Sequence, residues 1–167
     1  RFTVRPSYDL TEPRDGLLVV EGKKLHVNMQ SLSAQSSYFN ALFFGELKNQ
    51  SMIEMKEVTF QDMKTLIHLM YDRPDDSIND SNSEHWLKLA DRFDLKIVAD
   101  HVQNSLLAPS SLSIHKKLRL ADQFNLEKLK STILPLYNKQ ENLVELRNSE
   151  EFDKLSSEMK AYMSKKS

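Results

Sequence analysis

The sequence predicts an α+β fold: a small three-stranded sheet flanked by helices, followed by an all-helical C-terminal extension. Three observations carry that expectation. Short apolar and alternating runs flank a tight-turn signal between positions 17 and 27, and alternation returns over 53–56. From about residue 60 onward, apolar residues recur at helical spacing. At 167 residues the chain is long enough for one domain with a helical appendix.

Residues 1–14 hold Pro6 and Pro13 and show no period, so they read as an extended linker. Leu17-Leu18-Val19-Val20, the turn candidate Glu21-Gly22-Lys23 and the alternating Leu25 and Val27 describe a β-hairpin whose first strand is the more buried. Met29, Leu32, Phe39, Leu42 and Phe43 then fall at helical spacing, and the serines among them predict two short helices broken near Ser33–Ser36. Gly45 and the polar stretch 46–51 form a loop before the third strand, Ile53 to Lys56. Thr59, with Asp62 behind it, caps a helix that carries Phe60, Met63, Ile67, Met70 and Tyr71 on one face. Pro74 and the acidic stretch 75–82 end that helix.

The remainder reads as helix. Ser81 and Glu84 fit a capping box ahead of Trp86, Leu87, Leu89, Ala90 and Phe93. Ile97, Val98, Val102 and Leu106 follow, and Pro109-Ser110-Ser111 breaks the run. A second helix pair holds Leu118 to Leu134, and a last helix over about 150–163 has Asn148 as its expected N-cap. One segment echoes another: Leu87-Lys-Leu-Ala-Asp-Arg-Phe-Asp-Leu95 matches Leu118-Arg-Leu-Ala-Asp-Gln-Phe-Asn-Leu126. This predicts two helical hairpins with the same residues in the same slots and a turn at Asp-Leu or Asn-Leu.

Composition excludes several chemistries. There is no cysteine, so disulfides and thiol catalysis are ruled out and most zinc sites with them. That fits a cytoplasmic or nuclear location. No apolar run approaches the length that crosses a bilayer, and there is no signal-peptide pattern. A formal net charge of −1, with short scattered lysine pairs, argues against nucleic acid. His26, His68, His85, His101 and His115 include no pair three or four apart, so no metal is expected. Three scattered glycines make no phosphate loop, and no Ser, Asp or Glu stands in a catalytic spacing. The acidic residues Asp72, Asp75, Asp76 and Asp80 lack the glycine and terminal glutamate of a calcium loop. The expectation is therefore no enzyme, no catalytic residue and no cofactor.

The aromatic residues are the informative ones. Phe39 and Phe43, four apart, share a face and belong to the core. Tyr38 and Phe44 point elsewhere, and Leu47 follows in a polar loop. Either these form a protein-binding surface or the helical extension covers them.

Taken together, these segments resemble the BTB/POZ family. Asp15-x-x-Leu18-x-Val20-x-Gly22 is similar to its opening strand and turn, and Leu25 through Phe44 to its strand, helix and Ser36-x-x-Phe39 signature. Met55-x-x-Val58, Ile67-x-x-Met70-Tyr71 and Leu89-Ala90-Asp91-x-Phe93 continue the likeness through residues 15–107. The likeness is strongest to the BTB part of MATH–BTB adaptors, and residues 108–163 resemble the helical 3-box or start of the BACK region, with 164–167 a tail. The resemblance implies a non-enzymatic interaction module that self-associates and recruits cullin-3 as a ubiquitin-ligase adaptor. The alternative is a scaffold that homo- or hetero-oligomerises without a cullin. It implies a cullin surface at Tyr38, Phe44, Leu47, Lys48, Asn49, Tyr71 and parts of 108–137, and a dimer patch at Asp15, Leu17, Met29 and Leu32. The chain departs from the family pattern at Asn49, where a glutamate is common, and at Asn28-Met29, where His-Lys is common.

Overall fold

A computed structural model describes residues 13–45, 47–48, 50, 52–71 and 77–166. Most of the expected linker, Asn49 and the acids Asp72, Asp75 and Asp76 lie outside the described residues. The chain divides into two compact units. One runs to Ser77 and includes Lys88–His101; the other comprises Ile78–Leu87 and the residues from Val102 on.

The first unit contains the sheet. Strands β1 (Gly16–Val20) and β2 (Lys23–Val27) pair antiparallel, and β3 (Ile53–Met55) pairs parallel to β1 on its other edge. The hairpin is the expected one, with β1 central and more buried than β2. Its two-residue turn has positive φ at both Glu21 (52°) and Gly22 (75°), the backbone that matches the twist of paired strands. A side chain at Gly22 is strained there, so Gly22→Val is expected to cost about 1–2 kcal/mol, read as a lower urea midpoint. The Glu21 carboxylate also accepts the Phe60 N–H at 2.7 Å, which ties the turn to the start of a helix. Parallel pairing of β1 with β3 requires a long crossover. Helices α1 (Met29–Gln35) and α2 (Ser37–Phe44) lie on that crossover, and Ser36 separates them.

Helix α3 (Phe60–Met70) starts as expected, with the Thr59 hydroxyl accepting the Asp62 N–H at 3.0 Å. It buries Met63, Leu66, Ile67, Leu69 and Met70, whereas Phe60 and Tyr71 are only half-buried. Helices α4 (Ser83–Arg92) and α5 (Lys96–Leu107) each contribute residues to both units. The start of α4 corrects an expectation: Ser81 lies outside the helix and gives its hydroxyl to Asn79 Oδ1 at 2.6 Å. Within the first unit, Arg92 holds the loop after β3 by donating to the carbonyls of Glu57 (2.6 Å) and Lys56 (2.5 Å).

In the second unit, α6 (Ile114–Gln123) and α7 (Glu127–Ile133) form the expected hairpin, and a 3-10 turn (Leu134–Asn138) follows. Helices α8 (Gln140–Arg147), α9 (Glu150–Asp153) and α10 (Ser157–Lys165) complete it. This replaces the single last helix expected over 150–163. Asn148 closes α8 instead of opening a helix, its N–H returning to Val144 at 3.2 Å. The chain breaks before Ser156 because the Asp122 carboxylate accepts both the Ser156 N–H (2.7 Å) and its hydroxyl (2.9 Å).

The internal echo has a structural counterpart. Asp94 and Asn125 both adopt left-handed backbone, at φ 50° and 56°. The next N–H returns to the alanine carbonyl of each motif: Leu95 to Ala90 at 2.8 Å and Leu126 to Ala121 at 2.9 Å. These are Schellman closures, and Asp and Asn are among the few residues besides glycine that tolerate the conformation. The loop before α6 is tied to Asp80. Hydrogen bonds from Ser110 and Ser111 hold that carboxyl below its usual value.

Candidate protein-interaction surface

The surface is built outward from α2. Ser36 accepts the Phe39 N–H at 3.1 Å and donates its hydroxyl to the Phe93 carbonyl at 2.6 Å, so one residue caps the helix and docks it. Asp94 receives the N–H and hydroxyl of Ser37. Phe39 stacks on Phe43 and on Phe93, each at 5.9 Å between centroids, and all three rings are buried. Tyr38 is half-buried, edge-on to Phe39 (5.5 Å) and Phe93 (5.1 Å), so only part of its ring faces outward. Phe44, on the other side of the helix, is 49% exposed. The helix stops one residue later. A Cβ on Gly45 would lie 2.3 Å from the Ala41 carbonyl oxygen, too close for any other residue with this backbone. Beyond it Leu47 is half-buried and Lys48 exposed, and Met52, just before β3, is 52% exposed.

Tyr71 ends α3 and is half-buried, lining a cleft of about 150 Å³ beside Leu25, Val27 and Ile67. Near the start of the sheet, Asp15 accepts the Met29 N–H at 3.0 Å. Met29 occupies the space that a Cβ on Gly16 would need. No three His, Asp or Glu side chains converge as a metal-holding group among the described residues. No helix among them is long and apolar enough to cross a membrane.

The family model described as BTB/POZ domain matches residues 7–110. This chain belongs to the BTB/POZ family. It is 31% identical over 144 residues to BTB and MATH domain-containing protein 36 of Caenorhabditis elegans, covering 84% of this chain and 44% of that protein. To protein 15 of the same series it is 32% identical over 136 residues, covering 79% and 49%. Among solved structures, the BTB domain of human gigaxonin is similar at a TM-score of 0.46 and 18% identity, over 53% of this chain and 74% of that one. The chain spans less than half the length of these curated relatives. BTB/POZ domains are protein-interaction modules and not a family of enzymes.

On this BTB domain the residues named from sequence separate into three groups. Phe44 and Lys48 are exposed, whereas Tyr38, Leu47 and Tyr71 are half-buried; Asn49 lies outside the described residues. Of the dimer candidates, Asp15 is exposed and Leu17 and Met29 are half-buried. Leu32 is 0% exposed. It is a core residue of the BTB domain and has no surface to offer a second copy, because its helical spacing places it on the inward face of α1.

Two features of the chain carried no sequence signal that singled them out. Met52 is as exposed as Phe44, although a methionine beside a strand usually reads as core. Arg119 in α6 is buried and surrounded by acids. It donates to both oxygens of Glu84 at 2.9 Å, to Glu151 at 2.9 Å and to Gln123 at 3.1 Å. Those partners hold the guanidinium pKa above its already high normal value, the Glu84 hydrogen bonds contributing most. The pairs are 32 and 35 positions apart, beyond any local spacing rule.

Proposed function

We propose that this BTB domain is the interaction part of a substrate adaptor and binds cullin-3 through apolar side chains at the end of α2 and the connection to β3. The observation that carries this reading is Phe44, an aromatic ring left half in water on a helix whose other phenylalanines are buried. Large exposed apolar residues of this kind mark protein-binding surface. Leu47 and Met52 extend it, with Tyr38 and Tyr71 as further contacts. The domain self-associates through the patch of Asp15, Leu17 and Met29, which places two cargo-binding domains in one assembly. The mechanism is positioning, and no residue of this chain performs chemistry.

The test is calorimetric titration of the chain with the cullin-3 N-terminal domain. Wild type is expected to bind, and Phe44→Asp and Leu47→Asp each to weaken binding by roughly thirtyfold or more. The thermal melts should be unchanged. A wild type that gives no heat overturns the proposal. It would favour the second reading, a BTB scaffold without a cullin, which the sequence Leu47-Lys48-Asn49 supports: asparagine stands at 49 where adaptors commonly carry glutamate.

A further inference from the structure

We propose that the cleft between β2 and α3 is a docking site for an acidic, extended segment of a partner protein. The segment adds to the outer edge of β2 and sets one apolar side chain into the cleft. This site stands apart from cullin binding at the end of α2 and from the patch at Asp15, Leu17 and Met29. Strand β2 is an edge of the sheet among the described residues. Its two-residue turn makes Val20 and Lys23 a hydrogen-bonded pair, and the alternation repeats at Leu18–Leu25 and Gly16–Val27. The N–H and C=O groups of Lys24 and His26 therefore point away from β1, the arrangement that accepts an added strand.

Leu25 and Val27 of β2 and Ile67 of α3 line the cleft together, around a space of about 150 Å³. A cavity of that size holds a benzene-sized group, so one valine or leucine side chain fits. Charge identifies the occupant. Arg14, His26, Lys64 and His68 also line the cleft, and among the described residues no acid does. Lys24, exposed on the same strand, adds a further cation. Neither Lys24 nor Lys64 has an ion-pair partner among the described residues. The concentration of positive charge is local, because the whole chain carries a formal net charge of −1. A second copy of this strand is a poor occupant: Lys23-Lys24-Leu25-His26-Val27 holds no acid, so two such edges would bring like charges side by side. A segment with acids flanking an apolar residue meets both requirements. The two-residue period of a strand sends the apolar side chain into the cleft and its neighbours to the other face, where Lys24 lies.

The probe is the fluorescein-labelled peptide Gly-Glu-Glu-Val-Glu-Glu-Gly, titrated with the full chain and read by fluorescence polarisation. Saturable binding is expected. Changing the glutamates of the peptide to glutamine, its valine to glycine, or Lys64 of the protein in Lys64→Glu should each weaken binding roughly tenfold. Phe44→Asp should leave probe binding unchanged, so this site and the cullin surface fail independently. Strand addition has its own readout: at saturation the amides of Lys24 and His26 should exchange hydrogen roughly tenfold more slowly, whereas Leu25, already bonded to β1, changes little. Lys64 is exposed, so an unchanged circular-dichroism melt is expected for Lys64→Glu. Four results would overturn the proposal: no saturable binding, a glutamine peptide that binds as tightly, Lys64→Glu that binds as wild type does, or binding without slower exchange at Lys24 and His26.

Discussion

Arg119→Ala is expected to lower the unfolding free energy by about 3–5 kcal/mol, the cost of leaving buried charges without their partner. The Arg119 side chain is 5% exposed, and the carboxylates of Glu84 and Glu151 are 27% and 12% exposed. Removing the guanidinium leaves two acids and Gln123 around a cavity without the cation they share, and Lys154, 4.0 Å from Glu151, does not reproduce its hydrogen bonds. Arg119→Lys recovers only part of the loss, because one ammonium cannot reproduce the fork that grips both Glu84 oxygens while a third nitrogen reaches Glu151. Urea denaturation followed by far-UV circular dichroism measures the effect. The variant Arg119→Met with Glu84→Gln and Glu151→Gln should regain most of the stability, because it removes the charges together. A loss below about 1 kcal/mol for Arg119→Ala would mean that the network behaves as an exposed ion pair.

Phe39→Ala should cost a similar amount, about 3–5 kcal/mol, through lost burial and the cavity left between Phe43 and Phe93. Phe44→Ala, five positions along the same helix, should change stability by no more than about 0.5 kcal/mol. The pair separates folding from recognition on a single element. Phe39→Ala impairs binding only by unfolding the domain, whereas Phe44→Ala leaves the melt intact. Equal losses at both positions would place Phe44 in the core and remove the basis of the proposed surface.

Local signals were readable where one residue or a short spacing decides the backbone. Glu21-Gly22 marked the hairpin turn, Thr59 the start of α3, and the repeated Ala-Asp-x-Phe-Asx-Leu the two helix closures. The spacing of Phe39, Phe43 and Phe44 separated inward from outward rings. What sequence missed depends on distant partners. Ser81 and Glu84 have capping-box spacing, but Glu84 is engaged by Arg119, 35 positions away. The break before α10 depends on Asp122, 34 positions away. Helix α8 was missed because only Leu143 and Leu146 of its eight residues are buried, and no side chain caps its start. Helical spacing singled out Tyr38, Phe44 and Leu47 as candidate surface, whereas Lys48, Asn49 and Tyr71 came only from the family resemblance; burial withdraws Leu32 from the candidates and exposure brings in Met52.

The mixed sheet also orders events in time. Strand β1 and its antiparallel partner β2 are joined by a two-residue turn, and hairpins of this kind form within about 1–10 microseconds. The parallel partner is 35 positions away, Ile53 against Leu18, and must wait until the intervening chain has folded back. The expected order is the hairpin first and β3 last. Weakening the Glu21-Gly22 turn should mainly slow refolding, and trimming Ile53 should mainly speed unfolding.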